Sequence, residues 1–445
     1  MYPRVDQSIL IMRRKFLFLL FSLLISCTAL PQNAAFGKLC ADFMEGYRKL
    51  ELAPASLDYK TNFENIKNSS GLRQQEEFFQ SFQKKLEGIK AGVLNASEKI
   101  RYAQLMYETN LNLERVKLEK QWNSEGRHIP PDGLHSMSNY KAWYSYYIKY
   151  FTSVNISPEE VFTMGEKEVK KVQQQISDLR ERLGFPYESS FYTYLHSDTF
   201  LLTDKQDILN KYAVIDKSVR EGLCKMYPCE NIPAIGVMEW PDATATTPPG
   251  MYLDKENNSY GKDVFLFNFY GQKHNRRCME WLYMHEGIPG HHLQSVIRQN
   301  IKTSSPLQNE FFYFGNSEGW ACYVEDFGKE IGMYKDPYTF LGKWEWDLVR
   351  SGRLVMEVGI HYYGWSSEKA MQYWKENIMN QDEIAGREIS RITKWAGQAL
   401  CYKVGALTLK KIAAQKMKKG MSPKDINTYF LNNSDVPLQV LEDAG

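Results

Sequence analysis

This sequence predicts a mainly helical protein with one small β-sheet, on three observations. Capped amphipathic segments recur along the chain, the stretch from Ile232 to Met251 is rich in proline, and Val264 to Phe269 is a short apolar and aromatic run. The clearest helix opens at Ser157-Pro158-Glu159-Glu160, where a hydroxyl cap precedes a proline at the first helical position and acids fill the first turn. Val169, Val172, Ile176, Leu179 and Leu183 follow at alternating spacings of three and four, and Gly184 and Pro186 stop the helix. Gln74 to Tyr107 is polar with recurring apolar positions, so amphipathic helices are expected there too. Thr203-Asp204-Lys205-Gln206 reads as a capping box opening a helix to about Lys225. Four prolines and two glycines between Ile232 and Met251 then change the texture. A small sheet is expected between Ile235 and Tyr270, with Val264 to Phe269 as one strand. From Arg276 the pattern is helical again to about Asn300, and further helices are expected from Asn316, Phe340, Ser367, Ile384 and Ser422.

The chain has 445 residues, enough for a large core and, as a soft prior, two or three lobes. Hydrophobic residues at 43% and charged residues at 24% are ordinary for a folded protein. A formal net charge of +2 gives no argument for a nucleic-acid surface. Arg13, Arg14 and Lys15 precede an apolar run from Phe16 to Ile25 that is too short for a permanent span. Its end, Leu24-Ile25-Ser26-Cys27, resembles a bacterial lipobox, with cleavage before Cys27 and a lipid on that residue. A plain secretory signal or an uncleaved anchor is the alternative. Each of these puts the body outside the cytoplasm, in the periplasm or anchored at the outer membrane, with the membrane touched only through Cys27. The expected organisation is a signal peptide over 1–26, an N-terminal helical region over 27–230 and a catalytic region over 231–445, together one unit with a cleft. Cys224 and Cys229 are close enough to bridge in an oxidising compartment, whereas Cys40, Cys278, Cys322 and Cys401 read as small buried hydrophobes.

The chemistry concentrates in His285-Glu286-Gly287-Ile288-Pro289-Gly290-His291-His292, which holds three of the chain's eight histidines beside a carboxylate. Zinc takes imidazole nitrogen and carboxylate oxygen, and a catalytic site keeps a position open for water. The segment is not HExxH, because Pro289 stands where the second histidine belongs. On a straight helix, residues six apart point about 120° apart and residues seven apart are separated by roughly 10 Å, so neither pair chelates one ion. Pro289 removes a helical hydrogen bond and Gly290 tolerates unusual dihedrals, so a distortion at Gly287 to Gly290 is expected to bring His291 round to His285. His285 and His291 are therefore the expected ligands. His292 is expected as a donor close to the reacting atoms, and the exchange of roles between His291 and His292 stays open. Glu318, in Asn316-Ser317-Glu318-Gly319-Trp320-Ala321-Cys322-Tyr323, is the expected third ligand on a facing helix capped by Asn316 or Ser317. Glu325, two turns on, is placed to orient a ligand from behind.

The segments His285 to Gln294, Glu318 to Tyr323, Arg353 to Ser366 and Gln398 to Gly405 together resemble the bacterial "domain of unknown function 885" family. That family is similar to the helical zinc peptidases, among them the thermostable carboxypeptidases and thimet-type oligopeptidases, in which the second metal histidine follows a glycine, as His291 follows Gly290. The resemblance covers about Pro249 to Gly405 and is weak over the N-terminal half. It implies a helical, zincin-like metallopeptidase with a small β-sheet at the active-site cleft, holding one Zn2+ ion on His285, His291 and Glu318. Glu286 is then the general base. His361 and Tyr402 resemble residues that hydrogen-bond the oxyanion, and Arg350, Arg353 and Lys403 are implied as anchors for a peptide carboxylate. The family usually has Asp where Glu357 stands and Pro where Ala396 stands; both departures lie outside the expected ligands.

The expected reaction is zinc-assisted hydrolysis of peptide bonds in short peptides, with carboxypeptidase activity preferred within that class by analogy. The strand Val264 to Phe269 is expected to pair with the substrate, with Asn268 on its backbone. Bland readings stand beside several of these roles: Tyr402 and His361 as satisfied core residues, Arg353 paired with Glu357, and Arg350 with Asp347. The rival functions are a zinc hydrolase of another amide and a lipoprotein that binds peptides without cleaving them.

Overall fold

The computed structural model describes residues 34–444, apart from 54, 91, 93, 126–127 and 302–304. The signal-peptide reading and Cys27 lie outside the described residues. Helices dominate. The N-terminal region contains α1 (Ala34–Lys49), α2 (Tyr59–Glu64), α3 (Ser69–Glu87), α4 (Ala96–Ser124), α5 (Tyr140–Thr152), α6 (Pro158–Arg182), α7 (Glu188–Leu195) and α8 (Lys205–Leu223). The rest contains α9 (Met279–Glu286), α10 (His291–Asn300), α11 (Phe314–Glu325), α12 (Pro337–His361), α13 (Ser367–Asn377), α14 (Asp382–Lys394), α15 (Cys401–Lys418), α16 (Pro423–Asn432) and α17 (Leu438–Asp443). The strands are β1 (Leu201–Leu202), β2 (Gly236–Glu239), β3 (Gly250–Leu253), β4 (Val264–Phe267) and β5 (His274–Asn275).

Capping chemistry sets most of these boundaries. Ser157 and Glu160 form the expected capping box on α6, with Pro158 as its first residue. The start of α8 differs from expectation: Asp204, not Thr203, is the cap, and its carboxylate accepts from the Gln206 N–H. The start of α11 differs as well. It begins two residues before Asn316 with no side-chain cap, and the Asn316 amide is buried, donating to the carbonyl of Val436 at 2.9 Å. Asp336 caps α12, so that helix opens three residues ahead of Phe340.

The 25-residue α12 runs through the middle of the molecule with most of its circumference buried. One apolar core packs its Leu354 and Val358 against α5, α8, the three-stranded sheet, α11 and α15. A second packs its Leu341, Leu348 and Met356 against α6, α7, α13 and α14. The first core takes residues from Tyr59 to Leu441, so the chain on either side of residue 230 shares one interior.

The larger sheet has the order β2-β4-β3, with β2 parallel and β3 antiparallel to β4. All four residues of β4 are buried and both its edges are paired. The expectation that this strand pairs with a substrate is therefore wrong, because it has no free edge to offer. Asn268 is occupied as well, donating to the Thr247 carbonyl at 2.9 Å and accepting from the Tyr270 N–H at 2.8 Å. The edge strands are β2 and β3, and it is β3 that lines the cleft.

Candidate metal centre

The break between α9 and α10 makes the site. Gly287 leaves the helix at φ −97°, ψ −118°, and Gly290 does the same at φ −76°, ψ −129°. A Cβ on Gly290 would lie 1.9 Å from the His285 carbonyl oxygen, so only glycine permits the chain to fold back this closely. The Trp320 indole N–H holds the turn by donating to the Pro289 carbonyl at 3.0 Å. The turn sets the His285 and His291 rings 4.9 Å apart and nearly perpendicular.

Glu318 faces both rings from α11. Its Oε2 lies 3.6 Å from His285 Nε2 and 3.4 Å from His291 Nε2. Those separations are too long for good hydrogen bonds, and Glu318 Oε2 is buried with no hydrogen-bond partner. Two donors bound to one zinc at about 2.0–2.2 Å with a tetrahedral angle lie roughly 3.3–3.5 Å apart. The donor atoms of His285, His291 and Glu318 all fall within 4.8 Å of one another. The set fits a three-ligand cation site that opens on a cleft.

Glu325 stands behind His285. Its Oε1 lies 2.8 Å from His285 Nδ1, and its Oε2 accepts from Arg350 at 2.7 Å. Pairing Nδ1 with a carboxylate fixes the ring and turns Nε2 toward Glu318 and His291. Burial alone would lower the His285 pKa, but Cys322, Glu318 and Glu325 outweigh it and hold the ring's basicity well above the usual range. Burial would likewise raise Glu318, yet the two imidazoles keep its carboxyl far below the ordinary carboxylate value. The two shifts answer each other: the neighbouring acids favour the charged imidazole, and the imidazoles favour the charged carboxylate. His285, Cys322 and Glu325 form a second donor group, but it is fully buried and its carboxylate is already paired with Arg350.

Glu286, the next residue along α9, is aimed into the same cleft. Its Oε2 accepts from the Tyr252 N–H of β3 at 2.8 Å. Pro249 accepts from the Asn268 N–H, and Met251 is registered with Leu266, so these residues face β4. By antiparallel alternation, the backbone groups of Gly250 and Tyr252 face the open edge. The cleft holds about 1240 Å³ and is bounded by that edge, by the His-His-Glu cluster and by α14.

The structure redistributes the other expected site residues. Tyr402 lines the cleft with its ring stacked 6.5 Å from that of His285, and its hydroxyl accepts from Arg391 at 2.9 Å. His292 turns away and bonds the Pro233 carbonyl at 3.1 Å through Nε2, so the choice between the two histidines falls to His291. His361 is not at the site: it is fully buried, with Nδ1 accepting from the Leu134 N–H at 3.2 Å and Nε2 bonded to the Ile392 carbonyl at 2.7 Å. Arg350, Arg353 and Lys403 are buried in ion pairs with Glu325, with Glu388, and with Asp347 and Glu168. None of the three is free to anchor a substrate carboxylate, and neither Arg353–Glu357 nor Arg350–Asp347 forms. The sequence reading missed Cys322 against His285, the Tyr252 N–H on Glu286, and Arg391. Cys322 follows Glu318 by four residues on one helical face, a signal that was available.

The model of the family described as "Bacterial protein of unknown function (DUF885)" matches residues 135–444, beginning well before the Pro249 at which the sequence resemblance starts. Among solved structures, "the putative lipoprotein from Colwellia psychrerythraea" is similar at a TM-score of 0.64 and 21% identity, over 86% of this chain and 68% of that one. A "putative lipoprotein of unknown function from Shewanella oneidensis" is similar at 0.60 and 15% identity, over 94% and 93%. At these identities the likeness shows a shared fold. No curated protein matches the chain.

Proposed function

This chain belongs to the DUF885 family, and from the geometry of its site we propose that it is a zinc-dependent peptidase acting on short peptides. The observation that carries the reading is the buried, unpartnered Glu318 Oε2 at 3.4 and 3.6 Å from two imidazole nitrogens, separations that suit shared ligands better than hydrogen-bond partners. Zinc held there would act as a Lewis acid on the scissile carbonyl and make water a better nucleophile. Glu286, beside His285 and fixed by Tyr252, takes a proton from the attacking water. The water oxygen bonds to the carbonyl carbon, the C–N bond breaks, and Glu286 returns that proton to the departing amine. The Tyr402 hydroxyl donates a hydrogen bond to the developing oxyanion and keeps its proton, its oxygen accepting from Arg391. A substrate in extended form pairs with β3 through the Gly250 backbone and the Tyr252 carbonyl. A helix break carrying two ligands, with an open-edged strand beside the base, is the basis for a zincin-like reading of the fold.

Export as a lipid-anchored protein belongs to the same proposal. It is supported by the Leu24-Ile25-Ser26-Cys27 pattern, by the Cys224–Cys229 disulfide and by the lipoprotein descriptions of the two similar structures.

The test is zinc stoichiometry and peptide turnover in three proteins. Wild type is expected to bind one zinc and hydrolyse short peptides, and His285→Ala to lose both. Glu286→Gln is expected to keep the zinc and lose about 10²- to 10⁴-fold in turnover. Wild-type protein that takes up no zinc, or full turnover in Glu286→Gln, overturns the reading.

A further inference from the structure

We propose that Arg391, assisted by Lys394, binds a free carboxylate of the substrate, which makes the peptidase a carboxypeptidase. The inference rests on the peptidase reading and adds to it a substrate class and the residue that selects it.

The argument begins with charge on α14. Arg387, Glu388, Arg391 and Lys394 all line the cleft, with Arg353 behind them. Glu388 is spent twice, on Arg353 at 2.8 Å and on Arg387 at 3.0 Å. Among the described residues no carboxylate comes within ion-pair distance of Arg391 or Lys394. Four cations, Arg353, Arg387, Arg391 and Lys394, thus share this wall with one carboxylate, Glu388, which leaves it net positive. Arg353 and Lys403, in contrast, are both closed off by buried acids.

Arg391 is also held in place. One Nη2 donates to Gln398 at 2.7 Å and to Tyr402 at 2.9 Å, while its Nε is buried without a partner. A substrate carboxylate would supply the charge partner that the protein does not place on this guanidinium. The location suits a terminal carboxylate. The guanidinium carbon is 5.3 Å from the Tyr402 ring centre, and that ring is 6.5 Å from the His285 ring. These two distances put the guanidinium no more than about 12 Å from the His285 ring, and with a scissile carbonyl at the His-His-Glu cluster, one extended residue of about 3.8 Å and a hydrogen bond of about 2.9 Å carry a terminal carboxylate toward it. An internal stretch of polypeptide would put a neutral amide in the same place.

The experiment compares N-acetyl-Ala-Ala-Phe with its C-terminal amide on zinc-loaded protein. The free acid is expected to be cleaved on the order of 10- to 100-fold more efficiently in kcat/KM. Arg391→Ala is expected to slow both peptides through the lost bond to Tyr402 and to slow the acid about 10- to 100-fold more, which removes the preference, and Arg391→Lys to recover part of it. Equal efficiency on the two peptides in wild type overturns the proposal without use of any variant. Equal losses on both peptides in Arg391→Ala overturn it too, and mark a positioning role through Tyr402. If neither peptide is cleaved, the peptidase reading has failed. Calorimetric binding of the same two peptides to wild type and Arg391→Ala then decides the carboxylate claim: tighter binding of the acid, lost in the variant, supports it, and equal or absent binding overturns it.

Discussion

His285 is surrounded by acids on both ring nitrogens, Glu325 on one and Glu318 on the other, and the outer pair is fixed by Arg350. The buried Glu325–Arg350 pair holds the ring's orientation from one side, while on the other Glu318 Oε2 has no hydrogen-bond partner. Away from the cleft, Glu357 is a buried carboxyl with a different consequence. Burial pushes it up to about 8, against the opposing effect of the Gly397 N–H and a 3.4 Å contact from the Tyr144 hydroxyl. Its folded pKa is raised, so its stabilising contribution is complete below the unfolded value of about 4.5 and is lost as pH rises from there through 8. Wild type is therefore expected to lose roughly 2 kcal/mol or more relative to Glu357→Gln between pH 5 and 9. Denaturant unfolding of the two proteins at both pH values checks this, and parallel pH dependences would reject it. At this scale the sequence revealed the clustered side chains better than their surroundings. His285, His291 and Glu318 carry their chemistry in residue type and spacing. Arg353 was expected to anchor a substrate carboxylate, with Glu357, four residues on, as the alternative partner, but it pairs with Glu388, 35 positions away on another helix. Local spacing cannot reveal that choice, because it is made by tertiary packing.

At the level of elements, the site depends on one broken helix and one close helix pair. The break was legible in Pro289 and Gly290, although it proves to be two separate helices and not a bulge within one. The helix pair was not legible. α11 carries Glu318 and α15 carries Tyr402, and they touch at backbone distance. A Cβ on Gly319 would lie 2.6 Å from Gly405, and one on Gly405 would lie 2.2 Å from the Gly315 carbonyl oxygen. Gly319→Ala is expected to push these helices apart, destabilise the fold by about 1–3 kcal/mol and weaken zinc retention, because the neighbouring Glu318 moves with its helix. Thermal melts with zinc titration check both effects. A variant of unchanged stability and affinity would show that the close packing does not position the site.

For the molecule as a whole, the N-terminal helices are part of the fold that carries the site. Arg101 of α4 pairs with Asp435, beyond the end of α16, at 2.9 Å, and both are buried. Tyr313, just before α11, donates to Glu108 of α4 at 2.8 Å. Removing one partner of a buried pair leaves a charge unanswered, so Arg101→Met is expected to cost about 3–5 kcal/mol and to lower a single unfolding transition. Two separated transitions in wild type by calorimetry would instead mean that the regions before and after residue 230 unfold independently, despite their common core.

The sequence by itself determined the helical class, the small sheet, the capped start of α6 and the grouping of His285, His291 and Glu318 in one cluster. Each of these is written in short-range terms: residue type, period, cap or helix breaker. Only the tertiary structure decided that β3 and not β4 presents a free edge, that His292 and His361 serve the interior, and that Arg391 lines the cleft with no carboxylate in ion-pair distance. Those outcomes depend on which distant groups come into contact, and burial then fixes which charges are paired and which are left to face a ligand.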